Sequence, residues 1–385
     1  MRCLVILPIV PYPPDRGDRL RAWDMLSALR DMAELHLALV VREDADAPVR
    51  AALAEVATTI RWFPLSGRDA WAGRLRGVAA GLPPGITAYW SSRARRAIAE
   101  ACPGPWDLAV AFQLRAAPYA MNVAAGRRVL ELTDSLAHYR RQLPWRGRAL
   151  AQKLAFTGVE RLERRLTRAF DVSVVSAETD ADVVAGLSGR RPVVVPNGTP
   201  PTREVAQYGV DGPLLFIGDM RYPPNEDGIV WFARRIWPAL AAALPGLTLR
   251  VVGRTTPATQ RLANLPRVQV AGYVPDVHEE FARALAVINP MRFGSGTNRK
   301  VLDAWAAGRP VLSTPAGIRG LGCRDGEHVV VASDPGQWVE AVKAMRSDAT
   351  LGARLGSAGR ALLQAGAQPN AWRTAFTVAL QGGPR

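Results

Sequence analysis

The sequence contains little cysteine, histidine or lysine. The three cysteines, Cys3, Cys102 and Cys323, are scattered and odd in number, which argues against a disulfide framework and a cysteine-based zinc site. No apolar run approaches the roughly 18 residues that a membrane-spanning helix requires. The apolar N-terminus ends in a proline cluster and lacks a small-residue cleavage site. We therefore interpret it as a buried strand and expect a cytoplasmic protein.

Acidic residues are also fewer than basic ones, with 34 Asp and Glu against 49 Lys and Arg, so the net charge is +15. Such an excess favours an anionic partner, either a phosphorylated ligand, an acidic membrane surface or nucleic acid. Basic modules with interleaved aromatic residues are not recognisable, so we expect no nucleic-acid partner. A solvated basic surface without any specific partner is the alternative.

Continuous apolar segments alternate with helical patterns along the whole chain, which predicts parallel sheets covered by helices on both faces. The 385 residues suffice for two such α/β domains. A proline-marked polar stretch suggests domains at 1–196 and 213–385 joined by a linker at 197–212, with the last helix able to pack back on the N-terminal domain. The predicted strands are Cys3–Ile9, Leu35–Val41, Thr59–Leu65, Asp107–Phe112, Arg128–Thr133, Asp171–Ser176, Pro192–Pro196, Pro213–Gly218, Leu247–Val252, Val268–Tyr273, Ala286–Asn289, Val311–Thr314 and His328–Ala332.

One stretch of the second half combines a strand, a glycine-rich loop at 294–298 and a helix at 299–307. Free N–H groups and the positive end of the helix dipole favour phosphate at such a loop. Lys300 is one of only three lysines and lies in the first helical turn, where Arg299 can add charge. Asp303 shares a face with Lys300 and is placed to accept hydrogen bonds from ribose hydroxyls. A merely tight turn is the alternative.

The first half offers candidates at the ends of its strands. Arg16, Gly17 and Asp18 follow the first strand and could contact an acceptor or a phosphate, although prolines and a glycine also make an ordinary turn. Asp134 follows another strand and could orient a sugar hydroxyl or act as a base, unless it simply caps a helix. His138 lies one turn further along and is the weaker candidate.

Two further patterns bear on partners. A basic segment at 139–168 carries apolar residues at helical spacing, which predicts an amphipathic helix, continuous over 149–169, that lies on anionic lipid or packs one stripe on the sheet. Two Asp-x-Asp pairs, at 44–46 and 180–182, lack further ligands, so we expect no metal site.

Several motifs in their order along the chain resemble retaining glycosyltransferases of the two-domain GT-B type, specifically family 4. They include PYPPDRGDRLRAWDMLSAL, RLERRLTRAFDVSVVSAETDAD, VVVPNG, FIGDMRYPPNEDGIVWF, LRVVGR, VQVAGYVPDVHEEFARALAVINP and NRKVLDAWAAGRPVLSTPAGIRGL. The likeness covers nearly the whole chain. Within the family it is nearest to the sugar transferases associated with exopolysaccharide systems.

The resemblance implies two Rossmann-like domains facing across a cleft and a metal-independent transfer from a nucleoside-diphosphate sugar to a glycan, a lipid-linked acceptor or a small molecule. The nucleotide sugar is a co-substrate, and no cofactor is expected. Asp134 falls near the polar catalytic position of the first domain, and Lys300 would stabilise the leaving diphosphate. The donor-binding residues implied are Gly218, Arg254, Gly272, Tyr273, Val274, Ser295, Gly296, Thr297, Asn298 and Asp303.

The chain departs from the family pattern at several of these positions. Ser295 and Asp303 replace the family's paired glutamates, and Asp219 and Asn225 replace an arginine and a lysine near Gly218. Two alternatives therefore stay open beside the transferase. One is a catalytically inert GT-B subunit that docks a membrane or a partner enzyme, and the other is a nucleotide-sugar epimerase. A nicotinamide dehydrogenase is disfavoured because its glycine fingerprint is broken at Arg299.

Overall fold

The chain folds into two α/β units. The computed structural model describes residues 1–42, 45–79, 82–145, 147–198, 208–294, 297–366 and 370–381. The first unit comprises Met1–Gly198 together with Gln368–Arg385, and the second comprises Thr199–Ala367. No helix among the described residues is long and apolar enough to cross a membrane.

The first unit is built on a parallel sheet of seven described strands in the order β3-β2-β1-β4-β5-β6-β7. Residues 3–7 of the central strand β1 are fully buried, as expected for a parallel strand covered on both faces. The strands are β1 (Arg2–Leu7), β2 (Glu34–Val41), β3 (Thr59–Pro64), β4 (Trp106–Phe112), β5 (Ala125–Thr133), β6 (Val172–Val175) and β7 (Val193–Val194).

Ten described helices connect these strands. They are α1 (Gly17–Arg30), α2 (Ala47–Ala54), α3 (Gly67–Ala79), α4 (Pro84–Thr87), α5 (Ser92–Ala101), α6 (Gln113–Ala120), α7 (Leu136–Gln142), α8 (Gly147–Ala155), α9 (Val159–Ala169) and α10 (Glu178–Ser188). The prediction of a single helix at 149–169 is wrong, because this segment forms two helices, α8 and α9. Gly158 adopts a positive φ of 85° between them, a conformation that glycine adopts without strain.

The second unit has a parallel sheet of six described strands in the order β10-β9-β8-β11-β12-β13. Phe216 and Leu215 belong to different core clusters, so apolar packing covers both faces of the sheet. Its elements are β8 (Leu214–Ile217), α11 (Pro223–Arg235), α12 (Trp237–Ala243), β9 (Leu249–Val252), α13 (Pro257–Gln260), β10 (Val268–Gly272), α14 (His278–Arg283), β11 (Ala286–Asn289), α15 (Arg299–Ala306), β12 (Val311–Ser313), β13 (Val330–Val331), α16 (Pro335–Ser347) and α17 (Ala349–Ala365), with short 3-10 helices at Arg261–Asn264 and Pro315–Ile318.

The last helix, α18 (Ala371–Gln381), belongs to the first unit. Trp372 and Phe376 stack with ring centroids 5.7 Å apart and are buried in the core of that unit. Both sheets are parallel throughout, which confirms the predicted fold class of two doubly wound α/β domains.

Candidate functional site

Three neighbouring strands of the second sheet end in glycine at their carboxyl edge. Gly218 follows β8, Gly253 follows β9 and Gly272 ends β10. A Cβ atom on Gly253 would lie 1.9 Å from the carbonyl oxygen of Gly218, and the N–H of Gly253 donates to the carbonyl of Gly272 at 2.7 Å. The backbones of Gly218 and Gly253 are therefore packed too closely for a side chain at position 253, whereas position 272 is open. This leaves bare backbone where ligands of parallel α/β sheets bind.

Lys300 lies buried in the first turn of α15 and reaches toward this edge. Its Nζ donates to Asn225 Oδ1 at 2.8 Å and lies 5.0 Å above the ring of Phe216. No carboxylate in the described part of the chain pairs with it, and burial lowers the pKa of Lys300 to about 7. A buried cation without a counter-ion fits an anionic ligand, whose charge would raise that pKa again.

Asn225 holds Lys300 in place and links it to the turn after β8. Its Nδ2 donates to the carbonyl of Asp219 at 3.0 Å while its Oδ1 accepts from Lys300. A Cβ atom on Gly218 would lie 2.8 Å from the same Nδ2. Asn225, one of the departures from the family pattern, is thus a neutral partner that leaves the charge of Lys300 uncompensated.

The loop before α15 is partly described. Ser295 and Gly296, both predicted to bind the donor, lie outside the described residues. Asn298 precedes the first turn of α15 and makes no side-chain cap, because its Nδ2 donates instead to the carbonyl of Gly317 at 2.7 Å. The first N–H groups of α15 are therefore not satisfied by an N-cap side chain. Thr297, also predicted to bind the donor, precedes Asn298 and is half-buried.

Asn289, at the end of β11, was missed from the sequence. Its Nδ2 donates to the same Gly317 carbonyl at 2.8 Å, and its buried Oδ1 has no hydrogen-bond partner among the described residues. A Cβ atom on Gly317 would lie 2.5 Å from Asn289 Nδ2, so the 3-10 turn at 315–318 presses against the strand end. The signal available in the sequence was a polar residue, Asn289, at the end of an otherwise apolar strand.

The remaining donor-side candidates flank the glycine edge. Asp303 pairs with Arg299 one turn earlier at 2.8 Å, and burial raises the pKa of Asp303 despite this arginine. The guanidinium of Arg254 lies 5.6 Å from the ring of Tyr273, which is more than half exposed. Val274 follows it and packs against one core cluster. The structure thus brings Arg254, Gly272, Tyr273 and Val274 together.

In the first unit, Asp134 follows β5 at a strained turn. Thr133 has a positive φ of 66°, an uncommon conformation for a β-branched residue, and its buried Oγ1 has no partner among the described residues. Ser176 donates to Asp134 Oδ1 at 2.8 Å. Burial, and then the nearby carboxylate of Asp180, raise the pKa of Asp134 to about 6. Asp134 can therefore exchange a proton near neutral pH.

Two buried carboxylates surround this turn. His138 Nδ1 lies 2.7 Å from Oδ1 of the fully buried Asp180. Glu163 of α9 is also fully buried and accepts hydrogen bonds from Ser135 Oγ at 2.8 Å and from the Ala137 N–H at 3.2 Å. Burial raises the pKa of Glu163 to about 7. Glu163 was missed, although its position among the apolar residues of α9 marked it as a buried acid.

The loop after β1 is internally paired. Arg16 Nε lies 2.7 Å from Asp18 Oδ1, and Arg19 pairs with Asp15 at 3.1 Å. Both arginines of this loop therefore already have carboxylate partners. A Cβ atom on Gly17 would contact nothing within 4 Å, so the start of α1 has open space beside it.

Comparison with known proteins gives these sites a context. The family described as "Glycosyl transferases group 1" matches residues 211–348. HepE of Anabaena, solved with UDP and glucose, is 15% identical with a TM-score of 0.69 and covers 99% of each chain. Sucrose-phosphate synthase of Thermosynechococcus elongatus is 14% identical with a TM-score of 0.69 over 99% of each chain.

A protein of Klebsiella pneumoniae described as an uncharacterized 44.6 kDa protein in the cps region is 26% identical over 130 residues. The match spans 31% of this chain and about a third (34%) of that relative's length. The description of that protein as lying in the cps region fits the exopolysaccharide systems to which the family resemblance pointed. Residues 211–348 therefore match a group 1 glycosyl transferase domain, and the chain as a whole has the GT-B fold of two α/β units.

Proposed function

We propose that this chain is a glycosyltransferase, which moves a sugar from a nucleoside-diphosphate sugar to an acceptor hydroxyl on a glycan, a lipid-linked molecule or a small molecule. The observation that carries the proposal is the buried Lys300, which has a neutral amide partner and no carboxylate partner among the described residues. It stands at the start of α15 and is linked through Asn225 to the turn at Gly218, where a diphosphate finds both a cation and the positive end of a helix dipole. The solved complexes of HepE with UDP and with UDP-glucose make UDP the first nucleotide to test.

The reaction breaks the bond between the anomeric carbon and the phosphate oxygen, and the electron pair leaves with the diphosphate. Lys300 and the N–H groups of α15 would stabilise that growing charge, an interaction whose loss typically costs about 3–4 kcal/mol of barrier. The acceptor oxygen bonds to the anomeric carbon and gives up its proton. Asp134, with a pKa of about 6, is the group of the first unit proposed to orient the acceptor hydroxyl or to take that proton.

Retention of the anomeric configuration and independence from a metal belong to the proposal and rest on the resemblance to family 4. The nucleotide sugar is proposed as a co-substrate, with no further cofactor. A second candidate function is an inert subunit that docks a membrane or partner enzyme. It is favoured by Ser295, which stands where the family has its first glutamate.

The proposal also includes a cytoplasmic location with peripheral contact to an anionic membrane. The net charge of +15 supports it, because acidic lipid head groups attract clustered arginine and lysine. The segment 139–168 was the sequence-based candidate for this contact. The structure divides it among α7, α8 and α9, and Leu162 and Leu166 are buried in the first unit.

The proposal is tested by a calorimetric and thermal-shift screen of UDP, GDP, ADP and dTDP, with NAD as a negative control. We expect micromolar binding of one diphosphate, lost in Lys300→Ala and kept in Lys343→Ala. Lys343 is a matched control because its side chain is exposed and pairs with Glu340. Binding of none of the four by the folded protein would favour the inert subunit. Conversion of one free nucleotide sugar into another without acceptor would identify an epimerase.

A further inference from the structure

Helix α3 of the first unit has its apolar side chains on the outside. Gly73 and Gly77 face the protein, since a Cβ atom on either would lie 2.1 Å from an atom of the 87–90 segment. Trp71 and Leu75, one turn apart, are 66% and 57% exposed. In a helix, positions two apart point in nearly opposite directions, so the glycines necessarily place the tryptophan and the leucine outward. Trp71 and Leu75 therefore lie on the solvent-facing side of the helix.

Basic residues lie beside α3. A shallow cavity of about 110 Å³ lies between α3 and the start of α5, lined by Ala72 and Gly73 on one side and by Arg93 and Arg96 on the other. Both arginines are exposed, and α5 has no acidic residue in its first turn. Arg68 of α3 and Arg95 of α5 are exposed as well. The described side chains of the two helices thus include four exposed arginines against one exposed glutamate, Glu100, so their net charge is positive.

We propose that the outer face of α3 docks the chain on an anionic lipid bilayer, which rests on the membrane contact proposed above for the transferase. Trp71 and Leu75 enter the boundary between head groups and acyl chains, where tryptophan is preferred, and Arg93 and Arg96 meet the lipid phosphates. A second copy of the chain fits this face poorly, because two such surfaces would place four exposed arginines against four.

The chain contains a matched pair of apolar residues elsewhere. Trp145 and Leu154 are 68% and 55% exposed, close to the values for Trp71 and Leu75. Trp145, however, lies against Lys153, whose Nζ is 4.7 Å from its ring centroid. The pair stands in the 139–168 segment that the sequence favoured for lipid contact. A variant of this pair therefore controls for the loss of a tryptophan and a leucine. It also tests whether the 139–168 segment, rather than α3, binds the lipid.

The test is flotation of the full chain with vesicles of phosphatidylglycerol and phosphatidylcholine, compared with pure phosphatidylcholine. We expect the wild-type chain to bind the anionic vesicles, and Trp71→Ser/Leu75→Ser to lower the partition coefficient at least tenfold. Trp145→Ser/Leu154→Ser should change it less than twofold. Arg93→Gln/Arg96→Gln should weaken binding and reduce its dependence on salt.

Three outcomes would overturn the proposal: no binding of the wild-type chain to anionic vesicles, unchanged binding of Trp71→Ser/Leu75→Ser, or loss of binding in the Trp145/Leu154 variant instead. A wild-type dimer that Trp71→Ser/Leu75→Ser dissociates, without vesicle binding, would assign the face to a second copy. UDP binding measured on each variant reports on the second unit independently. Failure of the docking surface is thereby distinguished from failure of the proposed transferase.

Discussion

Lys300 and Glu163 are buried ionisable side chains, and no described residue offers either an opposite charge. Burial without a counter-charge destabilises the ionised form, which is why the pKa of each is shifted to about 7. Lys300 stands where an anionic ligand can compensate it. Glu163 is instead held by Ser135 and by N–H groups at the start of α7, directly after Asp134. We expect the first residue to report on ligand binding and the second on the pH dependence of stability.

The substitution Glu163→Gln should flatten the pH dependence of stability in the first unit. The pKa of Glu163 is raised from 4.5 to about 7, so the folded chain binds this proton more tightly than the unfolded chain does. Its contribution is therefore full below pH 4.5 and is lost as the pH rises through 7. Urea unfolding should show the wild-type chain losing about 1–3 kcal/mol between pH 5 and 8 through this group.

Glu160→Gln, on the same helix, is the control, since the Glu160 side chain is partly exposed and pairs with Arg141. It should leave the pH dependence unchanged. An equal pH slope in Glu163→Gln and the wild-type chain would show that Glu163 does not titrate in this range.

At this scale the sequence predicted residue types better than their partners. Lys300 and Asp134 were selected because the first opens a helix and the second follows a strand, and Gly218 was selected from the family resemblance. Asn225 was noted as a departure, but its bond to Lys300 spans 75 positions, a separation at which no local pattern carries information. The strain at Thr133 was equally invisible, because it arises from the register shift between β5 and β6.

The strand ends of the second sheet are shaped by backbone rather than by side chains. Gly253 combines a positive φ of 124° with the close approach to Gly218, whereas Gly272 has a positive φ of 73° and nothing within 4 Å of a Cβ position. The two glycines therefore differ in what a methyl group would meet. Only the first is enclosed by the neighbouring strand.

Alanine substitutions should separate strain from clash at this edge. Gly272→Ala should cost about 1–2 kcal/mol of stability, the usual penalty for a left-handed backbone. Gly253→Ala should cost more than about 3 kcal/mol, because the added carbon must displace the Gly218 backbone. Thermal unfolding measures both. Gly246→Ala, at a positive φ of 89° in open space, is the control for strain alone and should match Gly272→Ala. Equal losses at all three positions would contradict the close packing.

The described secondary structure followed the sequence closely where apolar runs are continuous. Each predicted strand overlaps an observed one, from β1 to the two-residue β13. The pattern failed at 149–169, since apolar spacing continues through Gly158 and only its backbone conformation reveals the break. The exposed apolar face of α3 was not predicted. The sequence does not reveal that this helix packs on the protein through Gly73 and Gly77 and therefore turns Trp71 outward.

Within the first unit, Arg21 joins segments far apart in the chain. Its guanidinium pairs bidentately with the buried Glu131 at 2.7 and 3.2 Å, and it donates to the Val195 carbonyl and to Asn197 Oδ1. It also lies 4.8 Å from the ring of Trp372 on α18. Arg21 therefore contacts both the end of the first segment of this unit, which finishes at Gly198, and helix α18 of its second segment.

Arg21→Ala should destabilise the first unit by about 3–5 kcal/mol, because it leaves Glu131 buried and unpaired. The affinity of the second unit for UDP should not change. Unfolding curves and calorimetry on the same samples measure the two effects. Arg191→Ala removes an exposed pair with Glu178 and Asp182 and should alter neither. A Tm for Arg21→Ala equal to that of the wild-type chain would show that the pair does not support the unit.

The central claim is that Lys300 receives the diphosphate of the donor, and proton-linked calorimetry tests it most directly. UDP is titrated at pH 8 in two buffers of different ionisation enthalpy. Because the pKa of free Lys300 is about 7 and an adjacent diphosphate raises it, binding should take up about one proton. Lys300→Ala should lose both the affinity and the proton uptake, and Lys343→Ala should retain both. Tight binding of UDP without proton uptake, or with uptake unchanged in Lys300→Ala, would contradict the claim.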